Sequence, residues 1–144
     1  MKEDKLIFFK PDANASLELQ LAEGGISAGF PSPAEDFKET TIDLNKALIK
    51  NKDATFYARV SGQSMTGAGL DDGDLLIIDK SIEPENGKIA VCFIDGEFTV
   101  KRLKIEKDEL FLMPENKKYK PIKVSENEQL IIWGIVTYVI KSLE

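Results

Sequence analysis

The chain has 144 residues, enough for one ordinary domain with a sizeable core. Hydrophobic residues make up 42% and charged residues 31%, the profile of a folded globular protein, which excludes a disordered one. The net charge of -6 argues against DNA or an anionic membrane as the main partner.

Leu6–Phe9 is a candidate short strand and too short an apolar run for a signal-peptide core. "LELQLAEGG" alternates apolar and polar residues and stops at a glycine pair. In "SAGFPSPAEDF", Gly29, Pro31 and Pro33 predict an extended segment, because proline lacks an amide proton and restricts the residue before it. Residues 1–40 therefore read as an N-terminal arm and residues 41–144 as the folded body. "IDLNKALIKN", Ile42 to Asn51, is the helix candidate. Leu44, Leu48 and Ile49 fall at helical spacing, and Asp43 is placed to cap the start.

Strand patterns dominate the rest. "ATFYARVSG" alternates, and "DLLIIDK" is an aliphatic run after the acidic turn "DDGD". "GKIAVCFIDGEFTVKRLKIEKDELFLMP" reads as successive strands, with Asp95–Gly96 as a hairpin turn and "KDE" as a second turn. Lys117–Lys118–Tyr119–Lys120 is a short basic run of the kind found in solvated loops. In the long last strand, "LIIWGIVTYVIKSL", Gly134 marks a bulge or bend. Its apolar stretch, Leu130 to Ile140, is too short to cross a bilayer. The prediction is a mainly β fold: a partly closed antiparallel sheet structure with one short helix and an extended N-terminal arm, in a cytoplasmic protein.

Residue types narrow the chemistry. The chain has no histidine, so a Ser-His-Asp triad is impossible and a zinc site would lack its usual ligands. The single cysteine, Cys92, lies in a strand pattern and suits a small apolar core role. No metal and no cofactor is expected. "SGQSMTGAGLDDGDLLIID", Ser61 to Asp79, places Ser64 before a glycine-rich turn. Serine is a weak nucleophile without a base, and the remaining bases are carboxylates, tyrosines and lysines. A lysine serves only when its amine is neutral, which an apolar setting favours. Lys101 in "GEFTVKRL" has Phe98, Val100 and Leu103 around it, whereas most other lysines sit in polar stretches. Alternation puts Thr99, Lys101 and Leu103 on one face of that strand. On pattern alone a second reading stays open and is the commoner one. Lys101 and Arg102 would be edge-strand charges, and Ser64 a hydroxyl satisfying turn backbone.

Several blocks together resemble the LexA/UmuD family of self-cleaving serine peptidases, over about four-fifths of the chain from Ile26 onward. "GFPSPAEDF" is similar to the segment after the family's cleavage point, and "IDLNKALIKN" to the helix that follows. "SGQSM" with the later "DGD" turn is similar to the nucleophile motif, and "DGEFTVKRL" to the segment with the general-base lysine. The resemblance implies that Ser64 is the nucleophile, that Lys101 is the general base and that Ala28–Gly29 is the bond the chain cuts in itself. Small residues there let a backbone enter a tight cleft, and Gly67 and Gly69 let the nucleophile turn adopt unusual dihedrals. Backbone amides near Ser64 would stabilise the oxyanion. Met65 also suits a core plug, and Asp72 and Asp74 suit turn-shaping roles.

The UmuD pattern has cysteine before the cleaved bond, where this chain has Ala28, also a small residue. Only 28 residues precede the expected cut, too few for the helix-turn-helix of a LexA-type repressor. The UmuD-like branch implies an SOS-response mutagenesis protein. Its cleavage would be promoted by a RecA filament on single-stranded DNA. The shortened product would form a homodimer and join a UmuC-type Y-family DNA polymerase in translesion synthesis. A non-catalytic dimeric module regulating a polymerase is the alternative. A signal peptidase shares the Ser/Lys chemistry, but no membrane anchor is evident here.

Overall fold

The computed structural model describes residues 5–12, 18–22, 39–126 and 128–144. The chain forms two compact units. One joins residues 1–11 to residues 53–144, and the other spans Asp12–Lys52.

The larger unit is built on one eight-stranded sheet in which every pairing is antiparallel. Its first strand, β1 (Lys5–Phe9), comes from the stretch read as an arm and pairs with "TFYARVS" at Thr55–Ser61. The smaller unit contains β2 (Glu18–Ala22), paired antiparallel with β3 (Glu39–Asp43), and α1 (Leu44–Leu48). The remaining strands are β4 (Thr55–Ser61), β5 (Leu75–Asp79), β6 (Ile89–Ile94), β7 (Glu97–Glu106), β8 (Glu109–Met113), β9 (Ile122–Val124) and β10 (Leu130–Ile140). The order across the large sheet is β1-β4-β5-β10-β6-β7-β8-β9. The fold is mainly β with one short α-helix among the described residues, as the sequence predicts.

The helix is shorter than its pattern. Asp43 caps it as expected, accepting a 3.0 Å hydrogen bond from the Asn45 amide, but the segment makes little more than one turn. Ile49 is already extended, and its N–H closes the turn on the Asn45 carbonyl at 2.9 Å. The turns follow the sequence more closely. Asp95 and Gly96 both have positive φ, 49° and 84°, the backbone a two-residue hairpin needs to match strand twist. Lys107 and Asp108 do the same at 49° and 66°, although neither is glycine. Gly134 lies where the pairing of β10 with β6 slips by a residue, and a Cβ there would meet Ile78 Cγ2 at 2.5 Å. It is therefore the predicted bulge, and it also permits close approach to β5.

Alternation sorts the core onto two faces. Ala58, Val60, Leu76, Ile78, Val91 and Val100 share one cluster with Met65 and Leu70. Ala90, Cys92, Ile94, Leu103, Leu112 and Ile135 form the other. Each fully buried aliphatic of this kind contributes about 1.5–3 kcal/mol. The sheet also curls. β1 and β7 are separated by four intervening strands, yet Phe8 packs on Phe98 with ring centroids 4.8 Å apart. Trp133 of β10 completes the cluster at 4.7 Å from Phe8. Among the described residues no helix is long and apolar enough to cross a membrane.

Candidate active site

The same curl decides where the candidate residues meet. Ser64 follows the end of β4, and Lys101 sits mid-way along β7, with three strands between them in sheet order. Lys101 Nζ nevertheless lies 2.9 Å from Ser64 Oγ. Both residues are buried, with only 1% of Ser64 and 5% of Lys101 exposed. Lys101 Nζ also donates to Thr99 Oγ1 at 2.6 Å and to the Val100 carbonyl at 3.1 Å. Thr99 reaches it because residues i and i+2 of a strand share a face. The sequence places Thr99 there but gives no sign of its contact with the amine.

The turn carrying Ser64 is braced from two sides. Gly62, at φ 134°, donates its N–H to Asp72 Oδ1 at 3.0 Å. Asp74 Oδ2 accepts from the Asp71 amide at 2.7 Å and also binds Lys141 Nζ. Both carboxylates thus serve the turn, as the sequence suggests. Thr66–Ala68 is a single 3-10 turn that ends on Gly69 in the left-handed region, at φ 81°. Met65 is buried in the core beside it.

The second brace is invisible in the sequence. The loop after β8 runs along the turn that carries Ser64. There the Glu115 amide donates to the Ser64 carbonyl at 2.8 Å and the Gly67 amide donates to the Glu115 carbonyl at 2.6 Å. Asn116 Nδ2 donates to the Gln63 carbonyl at 2.7 Å. Glu115 is itself held by Arg102 Nε at 2.6 Å, and Arg102 Nη1 reaches the Gly87 carbonyl at 2.6 Å. Arg102, Glu115 and Asn116 thus fix the backbone on both sides of Ser64. Loop-to-loop hydrogen bonds between residues about fifty positions apart leave no local signature.

A small, mainly apolar cavity opens at Ser64, lined by Leu6, Val60, Gly62, Met65, Leu70 and Val100. Cys92 lies deep in the sheet. Burial pushes its thiol up to about 12, against the opposing pull of the Lys101 charge, so it stays a protonated core residue. Ala28 and Gly29, the expected cleavage site, lie outside the described residues. A serine hydroxyl against a lysine amine in a water-poor setting has the parts for base-assisted nucleophilic attack.

A mainly β body with a buried serine and lysine in contact is the arrangement known from Ser/Lys hydrolases. Comparison with known proteins narrows this. The Peptidase S24-like family profile matches residues 20–137. Protein ImpA of Salmonella typhimurium is 40% identical over 136 residues, which cover 90% of this chain and 88% of ImpA. Protein SamA of Salmonella typhimurium is 46% identical over 110 residues, 76% of each chain. The LexA repressor of Alcanivorax borkumensis is 42% identical over 118 residues, 82% of this chain and 57% of the repressor. The chain therefore belongs to the peptidase S24 family of self-cleaving serine peptidases, as a UmuD-like member.

Proposed function

We propose that this protein is a one-turnover peptidase acting on itself in the SOS response, with Ser64 as nucleophile and Lys101 as general base. The observation that carries the reading is the 2.9 Å contact between Lys101 Nζ and Ser64 Oγ, both buried. Lys101 Nζ also donates to Thr99 Oγ1 and the Val100 carbonyl, bonds that hold it against the Ser64 hydroxyl.

In this reading residues 1–40 supply the substrate and residues 41–144 the peptidase body. Lys101 takes the Ser64 proton as Oγ attacks the Ala28 carbonyl carbon. The tetrahedral intermediate collapses, the Ala28–Gly29 C–N bond breaks, and Lys101 returns the proton to the departing Gly29 amine. Water, deprotonated by the same amine, then releases the Ala28 acyl group from Ser64. The apolar cavity beside Ser64 suits a side chain as small as that of Ala28. No metal or cofactor enters this scheme. A RecA filament on single-stranded DNA would promote the cut. Residues 29–144 would then dimerise and act with a UmuC-type Y-family polymerase in translesion synthesis.

Incubation of the purified chain at rising pH, read by intact mass, tests the chemistry. The expected result is loss of about 3 kDa with Gly29 as the new N-terminus, faster as pH rises, as attack assisted by a general base requires. Ser64→Ala and Lys101→Ala should each abolish it. An unchanged mass at every pH, with and without activated RecA, would sink the self-cleavage reading and favour a non-catalytic interaction module.

A further inference from the structure

β1 lies in the stretch that the proposed cut would detach, yet it is a strand of the main sheet. Its five residues pair with β4 from Lys5 opposite Ser61 to Phe9 opposite Tyr57. Leu6 and Phe8 point inward. Leu6 forms one wall of the cavity at Ser64. Phe8 enters the aromatic slot between Phe98 and Trp133, at 4.8 and 4.7 Å. Beyond the strand, Lys10 Nζ sits 4.3 Å from the Phe56 ring centroid and donates to the Asp53 carbonyl at 3.3 Å. Ile7 and Phe9 point outward, 59% and 46% exposed. Every one of these partners lies C-terminal to Gly29. All the contacts are non-covalent, so breaking a peptide bond about twenty residues further on removes none of them.

We infer that the edge of β4, together with the Phe98/Trp133 slot, is a strand-acceptor site, and that the excised segment stays bound there after the cut. The ligand class is an extended peptide with two inward apolar residues, one aliphatic and then one aromatic, separated by an outward residue. The recognition is that of strand addition: ladder hydrogen bonds supply affinity, and pockets for alternate side chains supply specificity. Cutting the chain and uncovering the β4 edge are then separate steps. The second is a dissociation, driven by dilution or by a competing strand. Until it happens, Leu6 still walls the Ser64 cavity and the edge stays protected from unwanted pairing.

The inference rests on the proposed excision, but it can be tested without it. A site-specific protease sequence replacing residues 25–30, in full-length protein carrying Ser64→Ala, allows the arm to be severed by an added protease. Denaturing mass should show two pieces, while native mass at micromolar concentration shows their sum. A synthetic peptide of residues 1–12 should displace the severed segment. The same peptide with Phe8→Ala should compete about a hundredfold less well, because a half-buried phenylalanine packed against two aromatic rings is lost. An Ile7→Ala peptide should compete as well as the parent. Since these changes are in the peptide, folding of the protein is not at issue. Immediate loss of the segment on cutting, or equal competition by the Phe8→Ala peptide, overturns the inference. So does loss accompanied by pairing of two protein copies through the freed edge. Failure of the unmodified chain to cut itself would refute the proposed function and leave these measurements interpretable.

Discussion

Ser64 and Lys101 are 37 positions apart in the sequence, and only the fold brings them into contact. The chain has no histidine, so the serine can only find a carboxylate, a tyrosine or a lysine as base. Thr99 adds what the sequence could not specify. Its hydroxyl, 2.6 Å from Lys101 Nζ, holds the amine in place and is therefore a positioning group. Thr99→Val keeps the branched shape and deletes that bond. Self-cleavage should slow about tenfold to a hundredfold, the worth of one hydrogen bond to such a group. Thermal stability should change little, and the pH–rate profile should move. A full-rate Thr99→Val with an unmoved profile would remove Thr99 from the mechanism. Lys101 stood out because an apolar strand is an unusual place for a lysine, and the family resemblance, not the pattern, made it the candidate base. Thr99 did not, because a threonine in a strand is ordinary.

At the scale of elements, the Ser64 turn is half of a structure whose other half is the loop after β8. Gly67 shows how tightly the two fit, since a side-chain carbon at this position would run into the Glu115 carbonyl. Gly67→Ala should therefore push the two segments apart, costing about 1–3 kcal/mol in stability by overpacking. It should also slow self-cleavage beyond what lost stability explains. Denaturant unfolding alongside the cleavage rate separates the two effects. Glycine at this site serves close approach and not the unusual dihedral expected of it, because Gly67 lies within the 3-10 turn and the left-handed backbone falls at Gly69. Strands and turns were largely readable from alternation and from the Asp95–Gly96 signal. β9 was not, because three residues between polar loops carry too little pattern. The helix was overextended because Ile49 fits helical spacing, although its backbone is extended.

Across the molecule, the C-terminal end of the chain is tied to the turn before β5. Lys141 Nζ lies 2.8 Å from Asp71 Oδ2 and also binds Asp74. These hydrogen bonds raise the Lys141 pKa above its ordinary value, Asp71 contributing most. A lysine whose folded-state pKa exceeds its unfolded value stabilises fully below the unfolded value, about 10.4, and loses that contribution as pH rises through the folded one. Lys141→Met should therefore lower Tm at neutral pH, and the gap to the parent should close above about pH 10.5. A gap that is constant with pH would assign the effect to packing. The self-cleavage assay belongs below that range, so that a rising rate reports chemistry and not loosening of the turn beside Ser64.

The order of residues by itself determined the class of structure and the candidate chemistry. Alternating apolar runs specify strands because side chains in a strand switch faces at every residue. The absence of histidine left carboxylates, tyrosines and lysines as candidate bases for a serine, and the S-G-x-S-M and D-G-E-F-T-V-K-R blocks carried the family resemblance that singles out Lys101. Only the tertiary structure decided that Ser64 and Lys101 touch, that Arg102, Glu115 and Asn116 brace the turn, and that Lys5–Phe9 is a strand of the sheet. The physical reason is the curl of the sheet. It brings the adjacent strands β1 and β4 round to β7 across the strands between them, and that curvature comes from many small twists and bulges, such as the one at Gly134, that no short stretch of sequence contains.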